Sequence, residues 1–174
     1  MEDSLLPEDH IATITMALAE TKHLEGDTAE LGVYYGGTSR FIAANNNNAI
    51  HHAYDTFEGI PENDVCENGY QKGEFAATDS ERVLRVLNLP NIKVHKGLFP
   101  ATAIDAKYKL VHIDVDIYQS TKAGLEFFVP RMVIGGIIIL DDLDWKLCPG
   151  VRKACNDLNL FPRTAGEWQG ILKF

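Results

Sequence analysis

Two apolar runs in this chain end in acids, and no other feature limits its fold as tightly. Leu110-Val111 leads into His112-Ile113-Asp114-Val115-Asp116-Ile117-Tyr118-Gln119-Ser120-Thr121, and Ile137-Ile138-Ile139-Leu140 leads into Asp141-Asp142. Continuous β-branched runs of this length suit strands buried on both faces. If the two runs are neighbouring parallel strands, Asp114, Asp116, Asp141 and Asp142 meet at one edge of the sheet, where ligands bind in open α/β folds. Two unit charges ~4 Å apart repel by roughly 4 kcal/mol at an effective dielectric of 20. Such a cluster calls for a cation, a proton or a ligand, and a hard divalent metal is the expected occupant.

The 174 residues suit one domain, 1–174, with one sizeable core. A net charge of -9 argues against wrapping a nucleic-acid backbone, since phosphate contacts need Lys and Arg. No apolar run approaches the ~20 residues of a membrane span. The acidic start Met1-Glu2-Asp3-Ser4 lacks a signal-peptide pattern. Cys66, Cys148 and Cys155 are odd in number and lack metal spacing, so free thiols in a reducing cytoplasm are expected. The six histidines show no HExxH-type spacing, which disfavours zinc.

Residues 1–26 read as a helical cover: Pro7-Glu8-Asp9 starts a helix carrying Ile11, Ile14 and Leu18 at helical spacing. Thr28 to Val33 reads as a strand, Tyr34 to Ser39 as a glycine turn, and Arg40 to Ala44 as a helix ended by Asn45 to Asn48. Strand, glycine turn and helix form the architecture of a nucleotide-type site. The pattern is Glu-x-Gly-x-x-x-Gly-Gly, not GxGxxG, and a plain tight turn is the alternative. Glu30 is placed to accept hydrogen bonds from a cationic or hydroxylated ligand. The strand Ile50 to Asp55 ends in an acid at the distance where ribose hydroxyls are bound, and Asp55 is the candidate.

Residues 56–77 are polar and turn-rich, a lid over the ligand through Tyr70 and Phe75 or a mobile surface loop. Thr78-Asp79-Ser80-Glu81 fits a capping box before Val83, Leu84, Val86 and Leu87. Ile92 to His95 alternates as a strand, Gly97 to Pro100 turns, and Tyr108 to Ile113 is the strand leading to the acids. Ser120 or Thr121 is the expected cap of a helix carrying Leu125, Phe128 and Val129, ended near Pro130. Gly135-Gly136 is expected to turn into the strand Ile137 to Leu140, and Pro149-Gly150-Val151 to open another helix. Leu160 to Arg163 and Trp168 to Phe174 read as a terminal antiparallel pair on the sheet edge. Alternating strands and helices predict an α/β doubly wound sheet.

Glu30 to Ser39 resembles the first motif of class I S-adenosylmethionine-dependent methyltransferases. Asp55-Thr56-Phe57-Glu58-Gly59-Ile60-Pro61, Gly73-Glu74-Phe75-Ala76, Gly97-Leu98-Phe99-Pro100, His112 to Tyr118 and Gly135 to Asp142 narrow the resemblance to the macrocin O-methyltransferase family, which methylates sugar hydroxyls on macrolides. It covers the chain from about Thr28 onward. It implies a Rossmann-like, mostly parallel, seven-stranded sheet with its last strand antiparallel. S-adenosylmethionine would lie over Gly32 and Gly36, with its ribose on Asp55 and its adenine beside Gly97, Leu98 and Phe99. Glu30, Tyr34, Ser39, Thr56 and Asp114 complete the expected cofactor wall. Asp114, Asp141 and Asp142 match the family's metal positions, usually for magnesium.

The implied reaction is in-line transfer of the sulfonium methyl group to a hydroxyl oxygen of a sugar, glycan or small natural product. Asp114, Asp116 and His112 are the candidate catalytic residues, with Asp116 and His112 as candidate bases. His112 is alternatively a core histidine bonded within the sheet, and Asp116 a group holding metal waters. Tyr118 lines the substrate pocket or simply packs. Family members usually carry more chain before the first strand, so the lid is expected to be reduced or supplied by another subunit; a homodimer is the family's expectation. Three rival readings stand beside this one. Asp114-Val115-Asp116 is a DxD, as in metal-dependent glycosyltransferases. Receiver-type phosphorylation domains also gather acids at a sheet edge. A methyltransferase-like fold can also be kept for binding alone.

Overall fold

The computed structural model describes residues 7–46, 49–76 and 80–174. Helix α1 (Glu8–Thr21) precedes β1 (Asp27–Leu31), α2 (Gly37–Asn45), β2 (His51–Asp55), α3 (Ser80–Val86), β3 (Ile92–Lys96), β4 (Tyr108–Ile113), α4 (Tyr118–Phe128), β5 (Met132–Leu140), α5 (Pro149–Asp157), β6 (Arg163–Ala165) and β7 (Gln169–Lys173). One seven-stranded sheet runs β3-β2-β1-β4-β5-β7-β6. The first five strands are parallel and β7 lies antiparallel between β5 and β6. This is the expected doubly wound, mostly parallel sheet. The five-stranded receiver alternative does not fit it.

The sheet is covered on both faces. Ala29, Leu31, Val111, Ile113, Ile138 and Leu140 pack with α4 and α5, through Leu125, Phe128, Val151 and Ala154. Leu110, Ile137 and Ile139 pack on the other face with Ile14, Ala17 and Leu18 of α1 and Ile42 of α2. Ile137, Ile138 and Ile139 are wholly buried, each worth roughly 1.5–3 kcal/mol against exposure. Among the described residues, no helix is long and apolar enough to cross a membrane.

Several boundaries differ from expectation. Strand β5 begins at Met132, ahead of the glycine pair. Tyr108 pairs with Met132 but Leu110 with Ile137, so the extra residues bulge out, and Gly135 takes φ +83° within the bulge. A bulge absorbs residues that a turn otherwise carries, and glycine supplies the positive φ it needs. Helix α4 starts at Tyr118 with Ile117 at its N-cap, and no side chain caps it. Thr121 instead donates its hydroxyl back to the Ile117 carbonyl at 2.9 Å. β1 stops at Leu31, because Val33 N–H donates to the Asp55 carboxylate rather than to a strand. Helix α2 starts at Gly37, three residues before Arg40. The outer terminal strand is Arg163–Ala165 and not Leu160 to Arg163. Asn47, Asn48 and the Thr78-Asp79 part of the capping box lie outside the described residues.

Candidate active site

Parallel register builds the site. Three backbone bonds carry the ladder one residue past the strand ends: Gly32 N–H to the Tyr54 carbonyl at 3.0 Å, Asp114 N–H to Leu31 at 2.8 Å, and Asp141 N–H to Ile113 at 2.9 Å. Gly32, Asp114 and Asp141 therefore stand side by side just beyond β1, β4 and β5. The glycine is required there. Its φ is +89°, and a Cβ would lie 1.7 Å from the Asp114 carbonyl oxygen.

A cavity of about 310 Å³ opens above this row. Twelve of the expected site residues line it: Glu30, Gly32, Tyr34, Asp55, Thr56, Gly97, Leu98, Phe99, Asp114, Asp116, Asp141 and Asp142. Gly36, Ser39 and His112 do not. Gly36 caps α2 at φ +87° and packs against Leu87. Ser39 and His112 are fully buried behind the wall, each hydrogen-bonded to Glu30.

Asp55 is committed largely to the start of the glycine turn and to the loop that follows its own strand. Its Oδ2 accepts from Val33 N–H at 2.7 Å and Tyr34 N–H at 2.9 Å. Its Oδ1 accepts from Phe57 N–H at 2.7 Å. An ionised carboxylate offers about four acceptor sites, so one direction remains for a ligand.

Glu30 lies at the centre of a buried polar chain. Ser39 donates its hydroxyl to Glu30 Oε2 at 2.5 Å, and His51 Nε2 lies 3.1 Å from that hydroxyl. Thr28 and Asn46 extend the chain away from the site. Glu30 Oε1 lies 2.9 Å from His112 Nδ1. Burial draws the His112 pKa down, but the Glu30 hydrogen bond and charge outweigh it and leave it raised. His51, wholly buried without a carboxylate of its own, falls to about 3.

The four acids gather as expected but in two groups. Ligand atoms of His112, Asp114 and Asp141 lie within 4.8 Å of one another, as do those of Asp116, Asp142 and Cys148. Alternation along the strands accounts for the division. Glu30, His112 and Ile139 pair across the sheet, and two residues further on the same face follow Gly32, Asp114 and Asp141. Asp142 is one residue out of phase. Asp116 and Asp142 both adopt left-handed backbones, at φ 61° and 54°, a conformation Asp tolerates better than most residues. Cys148 Sγ lies 3.7 Å from Asp116 and 3.5 Å from Asp142.

Crowding shows in the acidities. Burial and then Asp141 hold the Asp114 carboxyl well above the usual range. Burial and Asp142 push Asp116 up to about 7. Burial and Asp141 push Asp142 up to about 6. Asp141 is fixed by Gln169, which donates from Nε2 at 2.6 Å, and by His10, whose Nδ1 lies 2.9 Å away, off the line of a hydrogen bond. Burial lowers the His10 pKa, but Asp141 raises it more.

Sequence reasoning missed several wall residues, His10, Trp145 and Trp168 among them. The two indoles meet at a tilt of 48° with centroids 4.3 Å apart. His10 was detectable, because it stands four residues before Ile14 on the buried stripe of α1. The tryptophans carry no such signal, since both sit in turns. Tyr70 and Phe75 of the 56–76 loop reach the cavity as expected and meet edge to face at 4.9 Å.

The strand order with its antiparallel seventh strand, and a glycine turn facing acids across the strand ends, define a class I methyltransferase fold. The structure of the O-methyltransferase NovP superposes on 98% of this chain and 81% of its own, with a TM-score of 0.79 and 22% identity. Calicheamicin methyltransferase CalS11 superposes on 95% of this chain and 78% of its own, with a TM-score of 0.76 and 20% identity. The profile of the Macrocin-O-methyltransferase (TylF) family matches residues 9–161, and the chain belongs to that family. Demethyldecarbamoylnovobiocin O-methyltransferase of Streptomyces niveus is 27% identical over 160 residues, 78% of this chain and 58% of the relative. A tetracenomycin-C rhamnosyl 4'-O-methyltransferase of Streptomyces olivaceus is 28% identical, over 76% of this chain and 57% of the relative. The chain thus spans less than three-fifths of the length of either curated relative.

Proposed function

We propose that this protein is an S-adenosylmethionine-dependent O-methyltransferase acting on a hydroxyl of a sugar or a small glycosylated natural product. One observation carries the reading: a single cavity runs from the glycine turn to the acid cluster, so a donor and an acceptor can meet inside it. Family membership supports methyl transfer. The two curated relatives are named for O-methylation, one of them on a rhamnosyl group, and this favours a sugar or natural-product acceptor.

Gly32 lets the backbone approach the donor, Asp55 holds the ribose, and Gly97, Leu98 and Phe99 border the adenine. The acid cluster fits a hard divalent cation: oxygen donors predominate, and mutual repulsion leaves Asp114, Asp116 and Asp142 short of positive charge. Asp114, Asp141 and Asp142 would hold the ion, with magnesium as the first candidate. Such an ion would lower the pKa of an acceptor hydroxyl and orient it. Asp116, titrating near neutrality, receives the hydroxyl proton as the new O–CH₃ bond forms and the donor's S–CH₃ bond breaks. Tyr70, Trp145 and Trp168 keep water from the sulfonium.

The test is calorimetric binding of S-adenosylmethionine and S-adenosylhomocysteine, followed by transfer of a labelled methyl group to a panel of nucleotide sugars and glycosylated aglycones, with and without Mg²⁺. Binding at about micromolar strength and transfer abolished by EDTA are expected. Failure to bind either compound overturns the methyltransferase reading, and full activity in EDTA overturns the metal-assisted one. Cofactor binding without transfer to any acceptor favours the binding-only alternative. Transfer of a sugar from a nucleotide sugar revives the glycosyltransferase reading.

A further inference from the structure

One polar atom of the buried network is not accounted for. His112 is fully buried, and its Nδ1 is taken by Glu30 at 2.9 Å, yet its Nε2 has no hydrogen-bond partner. A buried polar atom left without a partner is destabilising. The imidazole belongs to the same 4.8 Å group as Asp114 and Asp141, on the same face of the sheet and two residues before Asp114. Its carboxylate partner is itself fixed, with Ser39 donating to the second Glu30 oxygen. Carboxylate, histidine and an open nitrogen facing further carboxylates is the arrangement by which proteins orient a metal-ligating imidazole.

We propose that His112 Nε2 is a metal ligand together with Asp114 and Asp141, and that Glu30 orients it. The inference rests on the metal-assisted reading above and changes its chemistry. A nitrogen donor beside two carboxylates suits a borderline ion such as Mn²⁺ or Fe²⁺ better than Mg²⁺, which favours an all-oxygen shell. The signal lay outside sequence spacing, because the imidazole and Asp141 are brought together only by the pairing of β4 with β5.

Mn²⁺ is the probe, added to the chelator-treated full chain. Calorimetry is expected to give tighter binding for Mn²⁺ than for Mg²⁺, and pulsed EPR to show the ¹⁴N coupling of a directly bound imidazole. His112→Gln removes that coupling and levels the two affinities, whereas His10→Gln retains it. Glu30→Gln keeps an acceptor for Nδ1–H and weakens Mn²⁺ by roughly 10–100-fold. The wild-type spectrum needs no variant to fold. Bound Mn²⁺ with no imidazole ¹⁴N coupling overturns the proposal and leaves the metal-assisted reading standing, with His112 then an imidazolium between Glu30 and Asp141. No binding of either ion overturns both.

Discussion

The Cα of Gly32 faces the carbonyl oxygen of Asp114 so closely that a Cβ would lie 1.7 Å from it. The donor side of the cavity and its acidic side therefore meet backbone to backbone at the ends of β1 and β4. Gly32→Ala forces the two strand ends apart and strains φ +89°. We expect a loss on the order of 2–4 kcal/mol, a fall in Tm of roughly 5–15 °C, and a matching loss of S-adenosylhomocysteine affinity. Differential scanning fluorimetry and calorimetry check both. A variant that keeps wild-type Tm and affinity contradicts the packing described.

Asp55 is expected to act twice, on the loop and on the ribose. Asp55→Ala deprives Val33, Tyr34 and Phe57 of a charged acceptor, each such bond being worth about 1.5–3 kcal/mol. Affinity for S-adenosylhomocysteine should drop at least ~10-fold, about 1.4 kcal/mol. The 2′,3′-dideoxy analogue separates the two roles. An equal drop for both ligands means that Asp55 only shapes the loop.

Asp116→Asn removes the proposed proton acceptor while keeping the shape of the side chain. We expect kcat to fall ~10²–10⁴-fold with cofactor affinity within about twofold of wild type, measured by labelled-methyl transfer and calorimetry. In the metal-loaded wild type, kcat/KM should rise as the Asp116 carboxyl loses its proton, at a pH below the value of about 7 that burial and Asp142 set in the metal-free cluster. A profile that stays flat throughout the range below about 7 removes it from that role.

The same acidities predict how stability changes with pH in metal-free protein. Asp114, Asp116 and Asp142 are all raised. The folded form then binds more protons than the unfolded one between the ordinary carboxylate value of about 4 and the folded values near 6 to 7, so their contribution worsens as pH increases across that interval. Raised His10 and His112 act in the same direction, because their stabilisation is lost as pH rises through their folded values. His51, held near 3, opposes this below its ordinary value of about 6.5. We expect Tm to increase as pH falls from about 7 toward 5, three carboxyls outweighing the one histidine, and to stop rising near the ordinary carboxylate value of about 4. A bound divalent ion should raise Tm more at pH 8 than at pH 6. Equal metal effects at both values would separate the ion from these carboxylates.

Much of this was legible in the chain itself. The β-branched runs before Asp114 and Asp141 declared buried parallel strands, and the glycine turn after Glu30 declared the ligand edge. Pairing was not legible. That Leu110 lies beside Ile137, while Tyr108 lies beside Met132, depends on a bulge that local sequence does not encode. Gly36 and Ser39, members of the glycine turn, were assigned to the cavity through the family resemblance, but the start of α2 turns them toward Leu87 and Glu30. Trp145 and Trp168 reach the acids from either side of β6, and only the antiparallel return of β7 brings them together.

The register between β4 and β5 also has a bearing on how the protein matures. Ile113 stands opposite Leu140, and a slip of one residue would turn every side chain of that strand to the other face of the sheet. Asp141 would then leave Asp114 and His112, while much of the apolar surface could still collapse. A chain condensed out of step would be compact yet lack the acid cluster, so the geometry of the site is a direct readout of the register of the two central strands.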